Sequence, residues 1–173
     1  MNHERFRLLA AVIAAHPEGH IVGRTRLQKT IKLLQRLGLQ TDYDYMLHFY
    51  GPYSEGLQAE IGLLENLGLV EEKQSVSRGD RPYYTIKSKP GAALQEVEEQ
   101  FGDAIKLIAD ADPIVLEIAA TYDAFRETGM THEKALEAVR LKKKAKCKHN
   151  NDRHALALLK KLGLPTMQPD TDL

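Results

Sequence analysis

A mainly α-helical fold with a small β-hairpin is the class this chain predicts, on three observations. Apolar residues recur at three- and four-residue spacing through most of its 173 residues. Glycine and proline punctuate those stretches at intervals suited to short helices. Only 43–50 and 69–87 carry the alternating, aromatic and β-branched pattern of strands.

The first helix covers 4–15, with Phe6, Leu9, Ala10, Ile13 and Ala14 on one face, and His16-Pro17 ends it. Ile21-Val22-Gly23 is long enough only for a turn or a single bridge. A second helix runs from Thr25 to Leu37 with Leu27, Ile31, Leu34 and Leu37 as its stripe, stopping at Gly38. On a helical projection Lys29, Lys32 and Arg36 fall opposite that stripe. Leu33 lies off it and requires a second packing partner. Residues 43–50 read as a strand that Gly51-Pro52 breaks. Ser54 caps a third helix bearing Leu57, Ile61, Leu64 and Leu67, closed by Gly68. A hairpin follows, Leu69–Val76 with Tyr83–Lys87, and Gly79 supplies the permissive backbone at its tip.

Three helices and a hairpin in that order predict a winged helix-turn-helix over 1–90, with one strand inserted before the third helix. Lys89-Pro90-Gly91 marks a boundary. Beyond it, 91–173 predicts an α-helical bundle extension for dimerisation or partner binding, with helices over 92–109, 113–127, 132–146 and 152–162 and a frayed tail to Leu173. No apolar run approaches the roughly 20 residues that span a bilayer, and no secretory leader or disulfide pair is evident around the single Cys147. A cytoplasmic protein without a membrane partner is the expectation.

Net charge is zero, with 24 basic and 24 acidic side chains, but the charges are sorted along the chain. Residues 92–137 hold 3 basic and 11 acidic side chains, whereas 138–163 hold 9 basic and only Asp152 as an acid. Neighbouring helices of opposite charge are one outcome of such sorting, and a basic landing surface for phosphate or an acidic partner is the other.

The segments Gly23-Arg24-Thr25-Arg26-Leu27-Gln28-Lys29, Tyr50-Gly51-Pro52-Tyr53-Ser54 and Leu64-Glu65-Asn66-Leu67-Gly68-Leu69-Val70 resemble small prokaryotic winged-helix proteins. Those proteins are distantly similar to the Panacea antitoxin domain. The resemblance covers about the first 90 residues and implies a regulatory or neutralising role without catalysis. It carries over no catalytic residue.

Two functions are open. The first is a winged-helix regulator, antitoxin-like and DNA-binding, expected to be a homodimer. The second is a protein-interaction adaptor on the same scaffold that does not bind DNA, with a partner such as a toxin. Helix three is poorly equipped to read a major groove. No Lys or Arg occurs from Leu37 through Glu72, so only Gln58 and Asn66 could contact bases. Double-stranded DNA would therefore have to be held by Arg24, Arg26, Lys29, Lys32 and Arg36 on helix two and by Arg78 and Arg81 at the wing tip. The basic run Lys142, Lys143, Lys144 and Lys146 is a further candidate for backbone phosphate. Gln28 reads as a solvated helical side chain.

Cys147, His149 and His154 supply three ligand-type groups in a lysine-rich setting, which does not amount to a metal site. No nucleophile elbow, phosphate-binding loop or dinucleotide glycine pattern is present, so neither a cofactor nor an enzymatic activity is expected.

Overall fold

The computed structural model describes residues 3–166, and the tail expected to fray lies largely outside that range. Its class is mainly helical with small antiparallel sheets, as the sequence predicts. Helix α1 (His3–Ala15) buries Phe6, Leu9 and Ile13. Strand β1 (His20–Val22) pairs with β5 (Pro82–Ser88), which pairs with β4 (Val70–Val76), all antiparallel in the order β1–β5–β4. The Ile21 segment is thus a three-residue strand rather than a turn or lone bridge. Ile21 sits opposite Ile86, and both are fully buried, so packing secures a strand too short to hold by itself. At the β4–β5 turn Asp80, at φ +54°, adopts the left-handed backbone expected of Gly79. Aspartate is among the few non-glycine residues that tolerate it.

Helix α2 (Arg24–Arg36) leaves Gly23 at φ +98° and closes at Leu37-Gly38. Helix α3 (Glu55–Asn66) starts at Ser54, whose Oγ accepts from the Leu57 amide at 3.2 Å. Between them the expected single strand over 43–50 is replaced by a short hairpin. Strand β2 (Met46–His48) turns at Phe49-Tyr50 and returns as β3 (Gly51–Tyr53), pairing Met46 with Tyr53 and His48 with Gly51. Gly51-Pro52 therefore opens the return strand instead of breaking the first. Tyr43 stays outside the ladder because Gln35 takes both its backbone groups: the Tyr43 amide donates to Gln35 Oε1, and Gln35 Nε2 donates to the Tyr43 carbonyl, each at 2.9 Å.

The second half comprises α4 (Gln95–Asp110), α5 (Pro113–Glu127), α6 (His132–Lys142) and α7 (Asn151–Lys161). Helix α6 stops at Lys142, short of the expected 146, because the chain turns inward to place Lys143. A 3₁₀ turn at Lys148–Asn150 carries His149 and Asn150 at positive φ before α7 begins.

Residues 89–91 do form a turn, yet the apolar core runs across it. Ile13, Leu34, Ile105, Ile118 and Leu159 belong to one buried cluster, so 1–90 and 91–173 share an interior. Helix α2 lies in the middle, packed on α3 and β3 and also on α4 and α5. Leu33, off the apolar stripe, is fully buried for that reason. Among the described residues no helix is long and apolar enough to cross a membrane.

Candidate functional site

The central position of α2 decides what its cations do. A helix covered on two sides has no solvated face for a basic patch, so each charge must find a partner inside the molecule. Arg24 pairs with Glu72 through two nitrogens and lies 3.6 Å from the centroid of the Tyr84 ring. Arg26 donates to the carbonyls of Ile108 and Ala111, both at 2.9 Å, capping the end of α4. Lys32 pairs with Glu127. Arg36 pairs with Asp123 at 2.9 Å and Glu127 at 3.4 Å. Burial pushes the Asp123 carboxyl above its ordinary value despite the opposing Arg36. Lys29 is only 2% exposed and donates to the Pro52 carbonyl at 2.6 Å. The exposed basic face expected of helix two is therefore absent. The projection located the cations opposite the stripe correctly, but could not show that α4 and α5 cover that side.

The same buried layer fixes the β2–β3 hairpin from below. Gln28, expected to be solvated, is buried and forms a reciprocal pair with Ser54. Its Nε2 donates to the Ser54 carbonyl at 2.9 Å, and the Ser54 amide donates to its Oε1 at 2.8 Å. The buried Lys143 ammonium donates to the Phe49 carbonyl and, at 2.6 Å, to Glu117. Lys146 reaches both Glu117 oxygens at 2.9 Å. Burial alone would raise the Glu117 carboxyl, but hydrogen bonds from Lys143 and Lys146 hold it below the ordinary value. Gly51, at φ +90°, faces Thr121 so closely that a Cβ would sit 2.7 Å from Thr121 Oγ1. Side chain and backbone together fix this loop on α2 and α5.

Its own side chains point the other way. Phe49 is 77% exposed and Met46 71%, and His48 and Tyr50 are also exposed. The Lys146 ammonium lies 4.9 Å from the Tyr50 ring centroid. An apolar, aromatic tip is thus presented to solvent on a base held by hydrogen bonds and ion pairs.

The remaining sequence candidates are dispersed. Arg78 and Arg81 are exposed at the β4–β5 turn, and Asn66 at the end of α3. Gln58 is half-buried and lines a cavity beside the hairpin. Lys142 and Lys144 are exposed, whereas Lys143 and Lys146 turn back to Glu117. The opposite charges sorted along the chain thus meet internally at Glu117, while Arg140 holds Asp152 within the basic segment itself. Among the described residues no group of three or more His, Cys, Asp or Glu could hold a metal. Burial raises the Cys147 thiol, which keeps it protonated.

Over 144 residues the chain is 31% identical to "Uncharacterized protein YwgA" of Bacillus subtilis (strain 168), covering 81% of this chain and 85% of that one. It belongs to the YwgA family. Comparison with protein-family models returns no match. In this YwgA-family chain the segments 23–29 and 50–54, far apart in sequence, lock together through Gln28–Ser54 and Lys29–Pro52. Sequence reasoning missed Gln28, Glu117 and the aromatic tip. The joint occurrence of the two segments was the available signal for Gln28. Nothing local marked Glu117, whose partners lie 26 and 29 residues away.

Proposed function

We propose that this chain is a non-enzymatic adaptor on a winged-helix scaffold, which binds a protein partner through the β2–β3 hairpin and does not grip duplex DNA with α2. The winged-helix reading is supported by the order α1–β1–α2–α3–β4–β5 and by the sheet order β1–β5–β4, in which β4 and β5 form the wing. The hairpin is the insertion before the third helix.

The observation that carries the reading is the internal use of all five α2 cations, Arg24, Arg26, Lys29, Lys32 and Arg36. Moving them outward to the backbone of a duplex would break ion pairs and hydrogen bonds within the fold. The exposed Met46, Phe49 and Tyr50, by contrast, are available without any rearrangement. Aromatic residues and Met are enriched in protein interfaces. A toxin is the partner implied by the resemblance to the Panacea domain.

The second reading, a DNA-bound regulator, draws on Arg78, Arg81, Lys142 and Lys144, which are exposed. It lacks a basic recognition helix, since the outer side of α3 carries Glu55 and Glu65.

A photo-crosslinking residue placed at position 49 in the native host tests the adaptor reading. The expected result is one discrete protein adduct that disappears when Met46 and Tyr50 are changed to alanine. The same adduct from position 141, where Leu141 is also exposed, or no adduct at all from position 49, overturns it.

A further inference from the structure

Beside the hairpin, a cavity of about 320 Å³ is lined by Arg24, Thr25, Lys29, His48, Tyr50, Gly51, Tyr53 and Gln58. Its size is at the lower end of small-molecule sites. Four other concavities on the described residues each include at least one carboxylate in their lining; this one includes none.

The chemistry of the lining is anion-seeking. Lys29 is 2% exposed, and of the three N–H bonds of its ammonium only the one to Pro52 has an acceptor among the described residues. No carboxylate lies within ion-pair distance of it there, and Glu117 attracts it only from farther away. Arg24 uses Nε and Nη2 on Glu72, leaving Nη1 without a hydrogen-bonding partner among those residues. Outside the lining, Lys143 and Lys146 share the single carboxylate Glu117, and both add to the positive potential at Lys29. The thirteen-residue helix α2 begins at the rim, with no side-chain cap and no acid in its first turn, so its dipole adds to the same potential. Tyr53 and His48, with ring centroids 5.0 Å apart, and Tyr50 supply flat apolar walls with polar edges.

We infer that this cavity binds a small phosphomonoester dianion, with Lys29 and Arg24 at the phosphate and the Tyr50, Tyr53 and His48 rings against the group that bears it. The guanidinium and ammonium donors match phosphate oxygens, and the lining holds no carboxylate to repel them. The inference does not depend on the hairpin having a protein partner.

Titration calorimetry with inorganic phosphate and with adenosine monophosphate tests it, on the intact chain and two variants. Thr25→Asp puts a carboxylate at the exposed start of α2, where it favours the helix while repelling an anion. Gln58→Glu adds a carboxylate to the cavity wall. Saturable binding is expected, weakened on the order of tenfold or more in each variant, with unchanged far-ultraviolet circular dichroism. Tighter binding of the nucleotide assigns the rings to a nucleoside, whereas equal affinities assign the site to the phosphate group alone. No saturable binding of either probe at millimolar concentration, or affinity that survives either variant, overturns the inference. The photo-crosslinking result at position 49 is unaffected in either case.

Discussion

Glu117 is the point at which the ion layer beneath the hairpin can be tested. It is buried on α5 and accepts hydrogen bonds from Lys143 at 2.6 Å and from Lys146 at 2.9 Å. Replacing it with leucine strands the Lys143 ammonium, whose side chain is fully covered, with only the Phe49 carbonyl as acceptor. Removing one partner of a buried pair costs about 3–5 kcal/mol, whereas exchanging both for apolar residues is often near neutral. Glu117→Leu is therefore expected to destabilise the fold by about 3 kcal/mol or more, and Glu117→Leu with Lys143→Met by roughly 1 kcal/mol. Urea unfolding followed by circular dichroism measures both. With a slope of about 2 kcal/mol per molar urea, the single variant lowers the midpoint by about 1.5 M. Amide exchange should also accelerate across 46–53 in the single variant, because the Lys143 anchor is mispositioned. A single variant within about 1 kcal/mol of the parent, or a double variant worse than the single, refutes the idea that this pair clamps the hairpin.

Three further outcomes follow from the same layer and from α1. Gly51→Ala forces a Cβ to 2.7 Å from Thr121 Oγ1 on a residue at φ +90°, so a loss of about 2–4 kcal/mol is expected in the urea assay. Thr121→Ala should restore only part of that loss, because the backbone strain remains. Burial lowers Lys29 to about 8, with Lys143 and Lys146 adding to the effect and Glu117 opposing it. The unfolded chain then holds its proton more tightly, so stability should rise by up to about 3 kcal/mol between pH 8 and 10.5, relative to Lys29→Met at each pH. His16 is buried, and burial lowers it to about 4, with the His20 backbone and Asp110 acting against burial and the Arg26 charge acting with it. Its contribution is intact above pH 6.5 and is lost as the pH falls to 4, by about 3 kcal/mol. Melting temperatures of His16→Phe should show a correspondingly flatter acid limb.

Much of the fold was legible because local rules govern it. The stripes of α1, α2 and α3, the Ser54 cap and the stops at Gly38 and Gly68 all follow from spacing and capping chemistry. The site was legible only in pieces. The segments 23–29 and 50–54 stood out in sequence, but what joins them is a set of bonds between residues 23 to 26 positions apart. A helical projection separates apolar from polar sides of α2 without saying what covers the polar side. Leu33 was the clue that something does, and the α4–α5 layer buries Lys29 and Lys32 along with it. The β2–β3 hairpin was misread because Tyr43 bonds to the side chain of Gln35 instead of to a neighbouring strand.

The most direct measurement is fluorescence anisotropy of random duplex DNA titrated with the intact chain at two salt concentrations. With Arg24, Arg26, Lys29, Lys32 and Arg36 engaged internally, binding should be absent at physiological salt. Any low-salt signal should be lost in Arg78→Ala with Arg81→Ala. Micromolar binding that falls steeply with salt and requires Arg24 and Arg26 would contradict the internal assignment of the α2 cations.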